Sequence, residues 1–146
     1  MKPLKSMVFF TLVIVWLAAC GPKATETPVF RGENPYAPQA GDSDLMAGDI
    51  TVDSSSVFLA KSQPPQVMVN AAYFQPTPCY QLRVEVSAPD VDNHINLKAY
   101  AVAEKDKPCA LMELATPLEA SLNLGSFTSG HYFVILNDNQ IGEFDS

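Results

Sequence analysis

The sequence predicts an all-β sandwich domain of about seven short strands. Apolar and polar residues alternate in a succession of short runs, which is the period-two pattern of strands with one buried face. Proline and asparagine clusters separate these runs at intervals of about 8–12 residues, and no run has the length or the period of a long helix. Once export and linker segments are set aside, roughly 100 residues remain, enough for one domain with a modest core.

The alternating runs follow one another from about Leu45 to the end of the chain. The clearest run covers residues 80–87, where every second residue is apolar. Other runs lie at residues 50–52, 56–60, 67–73, 95–101, 118–124 and 132–136, with a short one ending at Phe144. Turns are predicted at Pro64-Pro65, at Pro76-Thr77-Pro78, at Pro89-Asp90 and, as a tight hairpin, at Asn137-Asp138-Asn139. Residues 110–115 are helix-forming but are stopped by Pro117, so we expect at most one helical turn there.

The N-terminus has the layout of an export signal. Two lysines, Lys2 and Lys5, precede an apolar stretch over residues 7–16, and Leu17-Ala18-Ala19-Cys20-Gly21 follows. This last motif resembles the lipobox of bacterial lipoproteins. The resemblance implies that the thiol of Cys20 receives a diacylglyceryl group and that residues 1–19 are removed as a signal peptide.

An acylated Cys20 would fix the protein to the extracytoplasmic face of a cell membrane, because two or more acyl chains anchor stably. The alternatives are an uncleaved transmembrane helix, for which the apolar stretch is too short, and an ordinary secretory signal. Residues 20–44 contain four prolines and no hydrophobic period, so we expect a flexible linker before a domain over residues 45–146. We do not expect the aromatic residues of the linker, Phe30 and Tyr36, to dock on the domain.

The chain has three cysteines. The lipobox resemblance accounts for Cys20 and leaves Cys79 and Cys109, for which a disulfide is the default outside the cytoplasm. It would attach the loop before Pro117 to the start of the strand over residues 80–87. A redox pair would favour a Cys-x-x-Cys spacing, and a zinc site would need two further ligands close by, so we expect neither.

The motif Gly130-His131-Tyr132-Phe133-Val134 resembles the tyrosine corner of immunoglobulin-like sandwiches. Val134 stands where antibody domains have a second cysteine, which favours the bacterial immunoglobulin-like class. Residues 76–84 and 124–132 are similar to a group of small exported bacterial proteins without an assigned activity. Together these resemblances imply an antiparallel immunoglobulin-like sandwich with one disulfide, and they imply no mechanism.

Composition and motifs exclude several functions. Removing Lys2 and Lys5 with the signal peptide changes the formal charge from −7 to −9, which disfavours nucleic-acid binding. Only His94 and His131 suit general base catalysis near neutral pH, and no Gly-x-Ser-x-Gly nucleophile motif accompanies them. The acidic turn at residues 90–93 could offer oxygen ligands to Ca²⁺, but it lacks the glycine and the distal glutamate of an EF-hand. We therefore expect no enzyme, no metal and no cofactor.

The run over residues 130–136 is apolar on both faces. Phe133 and Ile135 lie opposite the side chains expected in the core, on the same face as His131. We expect a loop to cover them, and the loop over residues 104–117 offers Leu111, Met112 and Leu114 for this. The alternative is that they form an exposed surface for a partner. An exposed edge strand would also permit β-augmentation.

These observations predict a non-catalytic binding or scaffolding module of the cell envelope, anchored to the membrane by its N-terminal lipid and contacting an envelope protein. One alternative is an extracellular protease inhibitor that uses the loop over residues 104–117. A second is a hydrolase that depends on His94 or His131.

Overall fold

Eight strands form two sheets that pack face to face in the computed structural model, which describes residues 32–109 and 116–146. The strands are β1 (Met46–Gly48), β2 (Thr51–Ala60), β3 (Gln66–Phe74), β4 (Gln81–Val86), β5 (His94–Ala103), β6 (Leu118–Gly125), β7 (His131–Leu136) and β8 (Asn139–Asp145). A short 3-10 helix, Asp42–Asp44, precedes them. The two-sheet sandwich predicted from the sequence is confirmed. The predicted signal peptide, Cys20 and Phe30 lie outside the described residues.

The smaller sheet has the order β2-β3-β6 and is antiparallel. In the larger sheet, β5 pairs with β4 on one edge and with β7 and β1 on the other, and β8 lies beyond β7. The pairing of β5 with β7 is parallel, from His94 opposite Phe133 to Leu97 opposite Leu136. The antiparallel sandwich expected from the sequence therefore includes one parallel pair of strands. Two parallel strands of one sheet need a crossover connection between them. Here the chain leaves β5, passes through β6 in the smaller sheet and returns to the larger sheet as β7.

The core fills the space between the sheets with the apolar members of the alternating runs. The most deeply buried are Val134, at 0% exposure, and Val67, Ile95 and Leu124, at 1% each. They come from four different strands, β7, β3, β5 and β6, so each sheet contributes equally to the centre. The period-two pattern of the sequence therefore identifies the inward face of these strands correctly.

The predicted tyrosine corner is confirmed by its hydrogen bond. The hydroxyl of Tyr132 donates to the carbonyl oxygen of Thr128, four residues upstream, at 3.1 Å. The Tyr132 ring stacks on Phe144 with centroids 5.2 Å apart and planes at 15°. Backbone hydrogen bonds in both directions between Gly130 and Ser146 attach the C-terminus to the same corner.

The hairpin between β7 and β8 is also where the sequence predicts it. Asn137 and Asp138 have φ of 46° and 66°, the left-handed values that a two-residue hairpin turn requires. The side chain of Asn137 has a second role, because it accepts a hydrogen bond from the Ala99 N–H at 2.8 Å and donates to the Ala99 carbonyl at 2.9 Å. Through these bonds, Asn137 continues the pairing of β5 with β7 beyond the end of β7.

The described part of the expected linker packs on the domain. We expected residues 20–44 to be flexible, but the Val84 N–H donates to the Tyr36 carbonyl at 2.8 Å, and the Asn34 amide donates to the Val84 carbonyl at 2.8 Å. Asp42 forms an ion pair with the buried Arg83 at 2.8 Å. We call residues 32–44 the strap. It pairs with both backbone groups of Val84 on the free edge of β4, and Tyr36 packs against the core.

The predicted disulfide joins Cys79 and Cys109, with Cα atoms 6.0 Å apart. It attaches the loop after β5 to the chain just before β4. Leu111, Met112 and Leu114, the side chains expected to cover Phe133, lie outside the described residues. Within the described ranges, no helix is long and apolar enough to span a membrane.

Candidate functional site

Three residues of β7 point to the outer face of the larger sheet. Tyr132, Val134 and Leu136 are buried, so the alternation of the strand turns His131, Phe133 and Ile135 outward. Because β7 runs parallel to β5 and Phe133 pairs with His94, the other histidine of the chain lies beside these three residues. We call His94, His131, Phe133 and Ile135 the histidine face.

Phe133 is the centre of this face. Its ring centroid lies 4.8 Å from that of His131 at an interplanar angle of 82°, and 5.4 Å from that of His94 at 61°. Both are edge-to-face arrangements, the geometry that aromatic quadrupoles favour. Phe133 and Ile135 are half-buried, while the side chains of His131 and His94 are 44% and 40% exposed. The face therefore presents an aromatic centre between two polar rings.

Two carboxylates of β8 hold His131. Its Nδ1 lies 2.8 Å from an Asp145 carboxylate oxygen, and its Nε2 lies 3.8 Å from a Glu143 oxygen. The hydrogen bond with Asp145 is the main reason that the pKa of His131 is raised above its ordinary value. His131 is consequently a cation over a wider pH range than a free histidine.

A capped turn presents His94 on the other flank. One Asp90 carboxylate oxygen accepts the backbone N–H groups of Asp92 and His94 at 2.9 and 2.8 Å, and Asn93 has φ of 61°. The hydrogen bond from the His94 backbone N–H is the largest cause that lowers the pKa of the Asp90 carboxyl. The other Asp90 oxygen lies 3.4 Å from the His94 Nδ1. Asp90 thus fixes both the backbone and the imidazole of His94.

The ligand atoms of Asp90, Asp92 and His94 lie within 4.8 Å of one another, so these residues could hold a divalent cation. The set differs from the residues considered from the sequence, because His94 joins the two carboxylates. Capping of the turn by Asp90 explains the position of its carboxylate without an ion. The prediction that the protein uses no metal remains a prediction.

Carboxylates surround the aromatic centre on two sides. Asp90 and Asp92 lie on the β5 side, and Glu143 and Asp145 lie on the β8 side; we call these four residues the acidic rim. Their charge is accessible, since the side chains of Asp90, Glu143 and Asp145 are 43%, 58% and 86% exposed. In the part of the chain that the structure describes, no lysine or arginine forms an ion pair with them. Val91, at the tip of the turn, is 97% exposed beside the rim.

A shallow groove of about 640 Å³ continues from Ile135 along the outer face of the larger sheet. Asn96, Asn137 and Asp138 line it near Ile135, and Lys98 lies further along β5. The Lys98 ammonium is 5.7 Å from the centre of the Tyr100 ring. The histidine face therefore opens into a longer polar surface.

The structure brings together the residues that the sequence assigned to a partner surface, His131, Phe133 and Ile135, and adds His94. The sequence did not place His94 on this surface, because its position depends on the parallel pairing of β5 with β7, which no local pattern predicts. The disulfide places Cys109, in the expected covering loop, beside the start of β4. That strand pairs with the end of β5, about 30 Å along β5 from His94. Among the described residues, the two imidazoles are the ring contacts of Phe133.

Comparison with known proteins identifies no family for this chain. No protein-family model, curated protein or solved structure matches the chain.

Proposed function

We propose that this protein is a lipid-anchored, extracytoplasmic module of the cell envelope that binds another protein through the histidine face and performs no catalysis. The observation that carries the proposal is the outward position of Phe133 and Ile135 on the larger sheet, between exposed polar groups. An aromatic anchor inside a polar rim is typical of protein-binding surfaces, where a few central side chains supply most of the affinity.

The anchoring part of the proposal rests on the lipobox resemblance around Cys20. The disulfide between Cys79 and Cys109 is compatible with an oxidising compartment. The strap meets the domain along β4, whereas the histidine face lies on β5 and β7 towards the opposite edge of the sheet. A tether that enters at the strap would leave the histidine face free to meet a partner.

Metabolic labelling with radioactive palmitate tests the anchor. We expect label on the native chain and its loss in Cys20→Ser, which should also move the protein from the detergent phase to the aqueous phase on phase separation. Cys79→Ser with Cys109→Ser is the matched control and should keep the label. Label that persists in Cys20→Ser would contradict the proposed anchor.

The absence of catalysis is proposed from the partners of the two histidines. Each imidazole lies beside a carboxylate, Asp145 or Asp90, and in residues 32–109 and 116–146 neither accepts a hydrogen bond from a serine or threonine hydroxyl. A serine nucleophile needs that bond for its activation. A hydrolytic activity that is present in the native chain and lost in both His94→Ala and His131→Ala would contradict this part of the proposal.

Affinity capture from native envelope tests the binding surface. The baits are the native chain, Phe133→Ser and Phe58→Ser, because Phe58 is 44% exposed on the outer face of the smaller sheet and provides a matched control. We expect a species that the native chain and Phe58→Ser capture and that Phe133→Ser loses. Matching thermal unfolding curves show that all three baits are folded. Capture of the same set by all three would exclude the histidine face as the binding surface.

A further inference from the structure

We infer that the segment recognised by the histidine face is a cationic peptide in which basic side chains flank one aromatic or large apolar side chain. This inference rests on the proposed function of the histidine face and adds the chemistry of the partner. It is carried by the acidic rim, whose four carboxylates lie on both sides of Phe133.

The negative charge of the surface favours a partner segment of positive charge. The chain has a formal charge of −7, and the rim concentrates four acidic groups around one aromatic ring. Within the described residues, the charged partners of the rim are the two histidines alone. Four carboxylates therefore face at most two cations, and the surface keeps a net negative charge. Complementary charge steers a basic partner towards this face and repels an acidic one.

The spacing of the rim sets the spacing of the basic residues. Phe133 on β7 lies between β5 and β8, which are two strand intervals apart, about 10 Å. In an extended peptide, alternate side chains point to the same face and are about 6.7 Å apart. A basic-x-aromatic-x-basic segment therefore places its aromatic side chain over Phe133 and its long, flexible basic side chains near the two halves of the rim. A guanidinium can also stack on an aromatic ring of the face.

Binding of two synthetic peptides tests this inference. The probes are acetyl-Arg-Ser-Trp-Ser-Arg-amide and acetyl-Glu-Ser-Trp-Ser-Glu-amide, each with a neutral dye, added to the full lipidated chain in phosphatidylcholine vesicles. Fluorescence anisotropy, with empty vesicles subtracted, measures the dissociation constants. We expect the basic peptide to bind and the acidic peptide not to bind, and we expect binding of the basic peptide to weaken when salt is raised.

Two matched double variants separate the rim from the general charge of the protein. Asp92→Asn with Glu143→Gln removes one carboxylate from each side of Phe133 and leaves the Asp90 cap and the contact between His131 and Asp145 in place. Glu104→Gln with Asp106→Asn makes the same change of charge in the loop after β5. We expect the first pair to weaken binding of the basic peptide about fivefold, because each of the two exposed ion pairs that it removes contributes only modestly to the affinity. The second pair should leave binding unchanged.

Each outcome decides the inference. It is overturned if neither peptide binds, if both bind equally, or if the two double variants weaken binding to the same extent. If Phe133→Ser still loses its envelope partner while the basic peptide fails to bind, the proposed function stands and the cationic chemistry is wrong. If capture does not depend on Phe133, the proposed function itself falls, whatever the peptides show.

Discussion

Replacing both Cys79 and Cys109 by alanine will lower the free energy of unfolding by about 3–4 kcal/mol. The disulfide closes a loop in which its two cysteines are 30 positions apart. In the loop-entropy model, the constant contributes about 0.6 kcal/mol and the logarithm of the loop length about 3 kcal/mol at 25 °C. The loss arises mainly because the unfolded chain gains freedom, so the folded sandwich should remain the same.

Urea unfolding followed by circular dichroism at 25 °C measures this loss. A domain of this size has a stability of about 5–15 kcal/mol, so the double variant should still fold in water. With a slope of about 1–1.5 kcal/mol per molar urea, the midpoint should fall by roughly 2–4 M. The reduced native protein should unfold near the midpoint of the double variant, because both lack the same cross-link.

Thr77→Val is the control for this experiment. The Thr77 hydroxyl lies 3.1 Å from the Cys109 sulfur, and its loss leaves the cross-link intact, so the midpoint should change little. A free energy of unfolding of the double variant within about 1 kcal/mol of that of the oxidised native protein would contradict the loop-entropy estimate. It would mean that the loop is already restricted in the unfolded chain, and that the disulfide is not a main source of stability.

Three further predictions concern other contacts. Asn137→Gly keeps the turn but loses both side-chain hydrogen bonds to β5, so it should lower the free energy of urea unfolding by about 1–3 kcal/mol. Asp138→Gly is the control and should lower it by less than about 0.5 kcal/mol. Equal losses would contradict the role of the Asn137 side chain. Because the pKa of His131 is raised in the folded state, the native chain should exceed His131→Ala in stability by most below the unfolded pKa of about 6.5. The difference should shrink as the pH rises through the raised pKa, to what the ring contact with Phe133 contributes. Thermal melts between pH 5 and 9 check this, and a difference that grows with pH would have the wrong sign. Asp42→Asn should loosen the strap and speed hydrogen exchange of the Val84 amide, which donates to the strap, and unchanged exchange would show that the ion pair does not hold it.

The parts of the fold that depend on local pattern could be predicted from the sequence. Alternation identifies the strands because successive side chains point to opposite faces. The asparagine and aspartate at the β7–β8 turn tolerate positive φ, so Asn137 and Asp138 identify the hairpin. The tyrosine corner at Tyr132 is equally local, since its hydrogen bond returns to a residue only four positions away.

The parts that depend on distant pairing could not be predicted. His94 joins Phe133 only because β7 pairs with β5 in parallel after the chain has crossed to the other sheet and back. Neither strand carries a signal for that choice. Nothing in the positions of the two histidines along the chain indicated that they share one face, and the register alone shows that Phe133 is their common neighbour.

The strap was missed for a related reason. Its prolines and polar residues have the composition of a linker, and its position is fixed by the need of the β4 edge for backbone partners. The amide of Asn34 and the carbonyl of Tyr36 both bond to the backbone of Val84, and this pairing depends on the distant edge of β4. Composition alone does not distinguish such a segment from a free tether.

Photo-cross-linking in the native membrane shows directly whether the histidine face contacts another protein. The photoreactive amino acid p-benzoylphenylalanine replaces Phe133 in one full-length variant and Phe58 in the other, a conservative change of an aromatic residue in both cases. We expect a cross-linked protein adduct from position 133 and none from position 58. Adducts of the same pattern from both positions, or an adduct from position 58 alone, would contradict the assignment of the histidine face as the binding surface.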